Sequence, residues 1–319
     1  MKTDAPILII GAGSIGERHI GILQKLGYKN LHVFRQRNLP MRNIDTTSVQ
    51  IITDWALVES LKPVAAIVCS PTAQHLSQTL ACIKLGAHVL VEKPLSHQLD
   101  GLDTLRTYLK TQNTYLQVAY MLRYHPLMQR LKELVETQTI GRLLSLQSYW
   151  GEYLPDWHPW EDYRDSYAAN REMGGGAALT LSHDIDIVTW LSGSQPCVWQ
   201  ILKNYNSLLE INTEAGADIN VGYINGVNAH CHLNFFEQVP RRFYRLVFDG
   251  GSAELNYFEN ELVVFTKNSK EIFALPNFDR NDMFEAQTRF FMAQCALPNR
   301  TDLALKYVEE STQIIKMCN

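Results

Sequence analysis

Over the first 120 residues, short apolar runs alternate with stretches whose apolar positions recur every three or four residues. The runs are Pro6–Ile10, Asn30–Phe34, Val49–Ile52, Val64–Cys69, Val89–Val91 and Tyr115–Ala119. Continuous apolarity, rather than alternation, predicts strands buried on both faces. The periodic stretches predict helices. One carries Ile15, Ile20, Leu23 and Leu26 and is closed by Gly27; one follows Asp54 as a possible N-cap; one is Gln74–Leu85, stopped by Gly86; and one is Leu99–Leu109. Strands and helices in alternation imply right-handed crossovers and a parallel, doubly wound sheet.

From Met121 the pattern changes. Arg123-Tyr124-His125-Pro126 opens an amphipathic helix with Leu127, Leu131, Leu134 and Val135, ending near Thr137. Strands then dominate: Leu143–Trp150, Val198–Asn204, Ala217–Tyr223, Gly226–Phe236, Arg242–Phe248, Ser252–Tyr257 and Glu261–Thr266. Ile224-Asn225-Gly226 and Asp249-Gly250-Gly251 supply hairpin turns. Helices Asp282–Cys295 and Leu303–Met317 close the chain. This half reads as an α+β domain with an open, mostly antiparallel sheet and helices on one face. The change of pattern divides the chain into domains 1–121 and 122–319.

Composition narrows the class without naming it. A chain of 319 residues, 46% hydrophobic and 19% charged, suits two soluble globular domains. A net charge of −4 argues against a general binder of nucleic acid or anionic membrane. No stretch approaches the roughly 20 apolar residues of a membrane span. Six scattered cysteines without CxxC spacing read as reduced thiols in a cytoplasmic protein.

The first strand runs into Gly11-Ala12-Gly13-Ser14-Ile15-Gly16, and a helix follows. In that setting Gly11 allows the tight turn, Gly13 lets a pyrophosphate approach the backbone, and Gly16 packs helix on strand. The helix start at Ser14 and Ile15 then offers free N–H groups to the phosphates. The first domain is therefore a Rossmann-type dinucleotide-binding domain. After the second strand, where an acid would select NAD, the chain reads Arg35-Gln36-Arg37. The arginines suit the 2′-phosphate of NADP, the preferred cofactor over NAD; the alternative is a solvated basic loop. Ser70-Pro71-Thr72 with His75, and Glu92-Lys93-Pro94, follow strand ends, where open α/β sheets hold ligands. By itself Lys93 reads as an exposed loop lysine after a strand, and His75 as a packing residue at a helix start; the rest of the chain reverses the reading of Lys93.

Within the second half lies an unusual stretch, Gly151–Asp186, with Tyr153, Asp156, Trp157, His158, Trp160, Tyr163, Arg164, Gly174-Gly175-Gly176, His183, Asp184 and Asp186. Aromatic rings among polar groups suit a sugar, unless the loop simply packs on the sheet rim. His183, Asp186 and Trp190 share one face of a helix expected over Leu179–Leu191. That pairing serves either acid–base work or a helix salt bridge. Arg164 would suit a substrate carboxylate or phosphate. His230 and His232 read as sheet surface rather than as metal ligands, and no metal is expected.

In their order and spacing, Gly11–Gly16, Ser70-Pro71-Thr72 with His75, Glu92-Lys93-Pro94, Arg123-Tyr124, and Gly174–Gly176 through His183 and Asp186 carry a resemblance. The chain resembles the glucose–fructose oxidoreductase/inositol dehydrogenase (Gfo/Idh/MocA) family over essentially its whole length. The resemblance implies hydride transfer between NAD(P) and a hydroxyl or carbonyl carbon of a sugar, nucleotide sugar or related compound. It implies Lys93 and His183 as catalytic residues and a cofactor site at Gly11, Gly13, Ser14, Ile15, Gly16, Ser70, Pro71, Thr72, His75, Glu92 and Lys93. Arg123, Tyr153, Trp157, His158, Arg164, Thr180 and His183 are implied at the substrate. A cis Lys93–Pro94 peptide and a homodimer or homotetramer built through the C-terminal sheet are also implied. Tyr153–Trp160 with Tyr163-Arg164 is similar to a subgroup of bacterial surface-polysaccharide and sialic-acid-like sugar pathways. Two positions depart from the family pattern: Thr180 stands where many members have aspartate, and Met121 where asparagine is frequent. The alternatives are a catalytically silent NAD(P)-binding sugar sensor, and an enzyme using transient redox for elimination or epimerisation.

Overall fold

The computed structural model describes residues 2–36 and 41–319, so Arg37 lies outside the described residues. The first unit holds β1 (Ile7–Ile10), α1 (Ser14–Lys25), β2 (Leu31–Phe34), β3 (Gln50–Ile52), α2 (Trp55–Leu61), β4 (Ala65–Val68), α3 (Thr72–Lys84), β5 (His88–Val91), α4 (Leu102–Gln112) and β6 (Leu116–Val118). Its six strands are all parallel, in the order β3-β2-β1-β4-β5-β6. The order reverses between β1 and β4, and such a reversal opens a crevice at the carboxyl ends of the strands. Every residue of β1 and β4 is at most 1% exposed, the double-sided burial that the continuous apolar runs require. Asp54 caps α2 as expected, its carboxylate accepting from the Ala56 N–H at 3.0 Å.

The second unit holds α5 (Pro126–Thr137), β7 (Leu143–Tyr153), α6 (Ala177–Thr180), α7 (His183–Ser192) and seven further strands. These are β8 (Pro196–Asn204), β9 (Gly216–Tyr223), β10 (Asn228–Asn234), β11 (Phe236–Phe248), β12 (Gly251–Asn256), β13 (Glu261–Thr266) and β14 (Lys270–Ala274). They form one sheet, β14-β13-β12-β11-β7-β10-β9-β8, antiparallel except where β10 runs parallel to β7. Along β10, Ala229, Cys231 and Leu233 are buried beneath α7, while His230 and His232 stand on the other face. There His232, Tyr149 and Phe243 stack across three strands, with centroids 4.8 and 5.3 Å apart. Both histidines share Asp218 Oδ1, at 3.2 and 2.8 Å. Strand β14 escapes the sequence reading because its short run is almost wholly exposed and lacks apolar alternation.

Two helices complete the chain, α8 (Arg280–Cys295) and α9 (Thr301–Cys318). The sequence pattern assigns both to the second domain; by compactness Asn281–Thr312 cluster with the first unit and Gln313–Asn319 with the second. The physical reason is apolar burial. Phe291 stacks on Tyr115 with ring centroids 5.9 Å apart, and Phe284 stands edge-on to His19. Lys25–Glu285 and Arg106–Thr312 add polar contacts at 2.6 and 2.8 Å. Among the described residues all six cysteines are free thiols, and no helix is long and apolar enough to cross a membrane. None of the described His, Cys, Asp and Glu side chains group in threes suited to a metal ion.

Candidate functional site

The glycine loop behaves as its spacing demands. Gly11 sits at φ +92°, and a Cβ there would lie 2.9 Å from the Cys69 carbonyl oxygen. A Cβ on Gly16 would overlap the Gly11 carbonyl. Beside Gly13, by contrast, no atom of the described residues outside its chain neighbours lies within 4 Å of the Cβ position. Gly13 caps α1 without a side-chain hydrogen bond, and with Ser14 exposed and Ile15 half-buried the helix start, with its N–H donors, has no side-chain cap among the described residues. That opening and those donors fit a dinucleotide pyrophosphate. Arg35 is half-buried just past β2, its N–H on the Ile52 carbonyl at 3.1 Å.

Two residues of α1 went unmarked in the sequence reading. The buried Glu17 carboxylate accepts the Arg42 and Asn43 N–H groups at 2.9 and 2.8 Å, tying the segment after β2 to the glycine helix. The equally buried His19 meets Glu92 Oε1 through Nε2 at 2.9 Å. Both lie among the buried positions of α1, and a charged residue on an apolar stripe is the signal that would have found them. Burial alone would raise the Glu92 carboxyl, but the His19 hydrogen bond and charge, with Lys93 and His75, hold it below the ordinary value.

Lys93 stands half-buried past the end of β5, and the Lys93–Pro94 peptide is cis, as the family resemblance implies. His75 is buried between two strand-end loops, Nδ1 2.7 Å from the Pro94 carbonyl and Nε2 2.7 Å from that of Ser70. Burial lowers its pKa against the pull of both carbonyls, and a neutral ring donates to one of them at a time. His75 thus braces the two loops against each other. Ser70 Oγ donates to Gln78 at 2.6 Å, Pro71 is the α3 N-cap residue, and Thr72 is buried at the α3 start.

In the second unit the three glycines make close packing possible. Gly174 and Gly176 have φ of +80° and +100°, and a Cβ on Gly176 would strike the Glu214 carboxylate. Glu214 in turn receives the α6 N–H of Ala178 at 3.2 Å. The single helix expected over 179–191 is two helices, broken at Leu181-Ser182, which leaves Thr180 buried at the end of α6 and His183 at the start of α7. The His183 ring stands edge-on to Tyr120 at 5.8 Å and tilted to Trp150 at 6.3 Å. Asp186 receives both Nε and Nη2 of Arg123, at 2.9 and 2.6 Å. Asp184 receives Nη2 of Arg242, with burial raising its pKa and Arg242 opposing the rise. Tyr153 is half-buried at the end of β7, Trp157 stands edge-on to Phe235 at 5.5 Å, and His158 tilts against Trp160 at 5.2 Å. Exposed Arg164 is braced by Asp162 and Glu210, which raise its pKa.

Fold and glycine loop together define a two-unit α/β protein with a dinucleotide-type first unit. Residues 6–120 match the oxidoreductase family with an NAD-binding Rossmann fold, and residues 128–254 the GFO/IDH/MocA C-terminal domain. The chain belongs to the Gfo/Idh/MocA family. It is 27% identical over 197 residues to the uncharacterized oxidoreductase YrbE of Bacillus subtilis, covering 59% of this chain and 53% of that protein. It is 24% identical over 289 residues to the myo-inositol 2-dehydrogenase of Thermotoga maritima, covering 89% and 81%. The chain thus spans about half the length of the first of these relatives and most of the second. The UDP-N-acetylglucosamine 3-dehydrogenase GnnA of Acidithiobacillus ferrooxidans shares the fold, with a TM-score of 0.78 at 16% identity over 99% of this chain and 95% of that one.

Proposed function

We propose that the chain is an NAD(P)-dependent dehydrogenase or reductase acting on a CH–OH or carbonyl carbon of a sugar, nucleotide sugar or related compound. The observation that carries the reading is the open approach to Gly13 at an uncapped helix start, in the same unit as Lys93 at a strand end. The relatives named as acting on myo-inositol and on UDP-N-acetylglucosamine support a polyhydroxylated substrate.

A bound nicotinamide supplies the hydride acceptor or donor. Gly11, Gly13, Ser14, Ile15 and Gly16 hold its phosphates, Arg35 and Arg37 favour NADP over NAD, and the Ser70–Thr72 and Glu92-Lys93 loops, braced by His75, complete the pocket. Lys93 donates a hydrogen bond to the reacting oxygen and stabilises its developing charge. His183 exchanges the hydroxyl proton. Tyr153, Trp157 and His158 stack on and hydrogen-bond the sugar, with Thr180, Arg123 and Arg164 shaping the surroundings. On this reading the enzyme works in the cytoplasm, in bacterial surface-sugar synthesis, as a homodimer or homotetramer through the C-terminal sheet.

The test offers both cofactors with a panel of myo-inositol, UDP-N-acetylglucosamine and free hexoses, following nicotinamide absorbance. Turnover of a polyol or nucleotide sugar is expected. Failure to bind either dinucleotide overturns the reading. Product formed without net cofactor reduction would instead identify transient redox.

A further inference from the structure

The first turn of α7 carries two carboxylates, Asp184 and Asp186, that are 0% and 1% exposed. Carboxylates that deep need partners. Each has a different arginine, drawn from a different part of the chain. Arg123 comes from the turn Met121–Tyr124, ahead of α5, and grips Asp186 through two nitrogens. Arg242 comes from β11, is 3% exposed, holds Asp184, and donates from Nε to the Tyr244 hydroxyl at 2.9 Å. At about 100° per helical residue, Asp184 lies about 100° to one side of His183 and Asp186 about 60° to the other. The two ion pairs straddle the histidine, and turning α7 about its axis in either direction strains one of them.

Arg242 also has a second contact. Its guanidinium lies 3.7 Å from the centre of the Trp150 ring, and that ring stands 6.3 Å from His183. One cation therefore holds both the helix that bears His183 and the indole beside its imidazole. We infer that Arg242, through Asp184 and Trp150, is a positioning residue that sets the orientation of the His183 ring. The inference rests on the reading of His183 as the proton-transfer group. Because a misplacement of about 1 Å can cost about a hundredfold in rate, loosening this hold is expected to lower kcat about ten- to a hundredfold with little change in KM.

The test uses Arg242→Lys, and the paired Arg242→Met/Asp184→Asn that leaves no unpaired buried charge and so preserves the fold. The ring Cε1–H signal of His183, assigned by its loss in His183→Asn, reads the geometry directly in protein carrying labelled histidine. The ring currents of Tyr120 and Trp150 set its position. Both changes are expected to move that signal, the paired one further, while the rest of the spectrum stays folded. Kinetics of the panel compound with the highest wild-type rate give the second arm. Combined with His183→Ala, the paired change should add almost nothing to the loss in kcat. An unmoved His183 signal, or losses that simply add, would overturn the inference. If His183→Ala itself leaves kcat intact, the proton-transfer reading falls instead, and the signal alone decides the geometric claim.

Discussion

Replacing Gly13 by alanine separates a binding role from a folding role at one atom. The residue has φ −75° and ψ −173°, which any L-residue adopts, and the new methyl would meet no atom of the described residues beyond its chain neighbours within 4 Å. At a helix N-cap, alanine costs about 1 kcal/mol relative to good capping residues, and somewhat less relative to glycine. Reduced freedom of the unfolded chain returns about 0.4–1 kcal/mol. The two nearly cancel, so Tm should move by no more than about 2–4 °C. The same methyl occupies the space through which a pyrophosphate would reach the α1 N–H groups. Loss of one charge-assisted contact, about 1.5–3 kcal/mol, lowers NAD(P)H affinity about ten- to a hundredfold. Gly16→Ala provides the opposite case, since its methyl overlaps the Gly11 carbonyl and overpacking costs about 1–3 kcal/mol even without cofactor. Calorimetric titration with NADPH and NADH, paired with thermal unfolding of the apoprotein, reads both effects. Wild-type affinity in Gly13→Ala, or unfolding as early as Gly16→Ala, would refute the reasoning.

Lys93→Ala should abolish turnover while cofactor affinity and Tm stay near wild type; an unchanged turnover number would remove Lys93 from the chemistry. Arg35→Asp should weaken or invert a preference for NADPH, a single charge-assisted contact being worth about ten- to a hundredfold; equal wild-type affinities for the two cofactors would leave that argument without support. His125 is buried, caps α5 through Nδ1, and has a pKa lowered by burial from 6.5 to about 4. The unfolded chain therefore takes up this proton first, and stability is lost as pH falls from about 6.5 toward 4. His125→Asn, which keeps a capping acceptor, should shrink the stability difference between pH 7 and pH 4.5 by about 2 kcal/mol, measured by urea unfolding.

Architecture and glycine loop were legible because their signals are local. A run such as Ile7–Ile10 announces double-sided burial, and Gly11–Gly16 announces a turn that larger residues cannot make. The contacts that organise the candidate site were not legible, because they join residues far apart in sequence. Nothing near Glu92 points to His19, and nothing near Asp184 points to Arg242, 58 residues away. The α6–α7 break was also hidden, since Leu181-Ser182 carries neither glycine nor proline. Its cause is tertiary: Gly176 and Glu214 fix where α6 starts, and the carboxylates of Asp184 and Asp186 fix how α7 is turned.

The clustering of Asn281–Thr312 with the first unit makes the nucleotide-type half of the molecule discontinuous in the order of synthesis. The ribosome delivers all six parallel strands before the helix that covers Tyr115 exists. At about 5–20 residues per second, the gap between Ala119 and Asn281 lasts roughly ten to thirty seconds. During that interval Tyr115 lacks Phe291, and the ring of His19 lacks Phe284. The nascent first half therefore waits with the Tyr115 flank uncovered. A fragment ending at residue 121 would keep that flank permanently, so the two halves cannot be separated by a single cut without unmaking one of them.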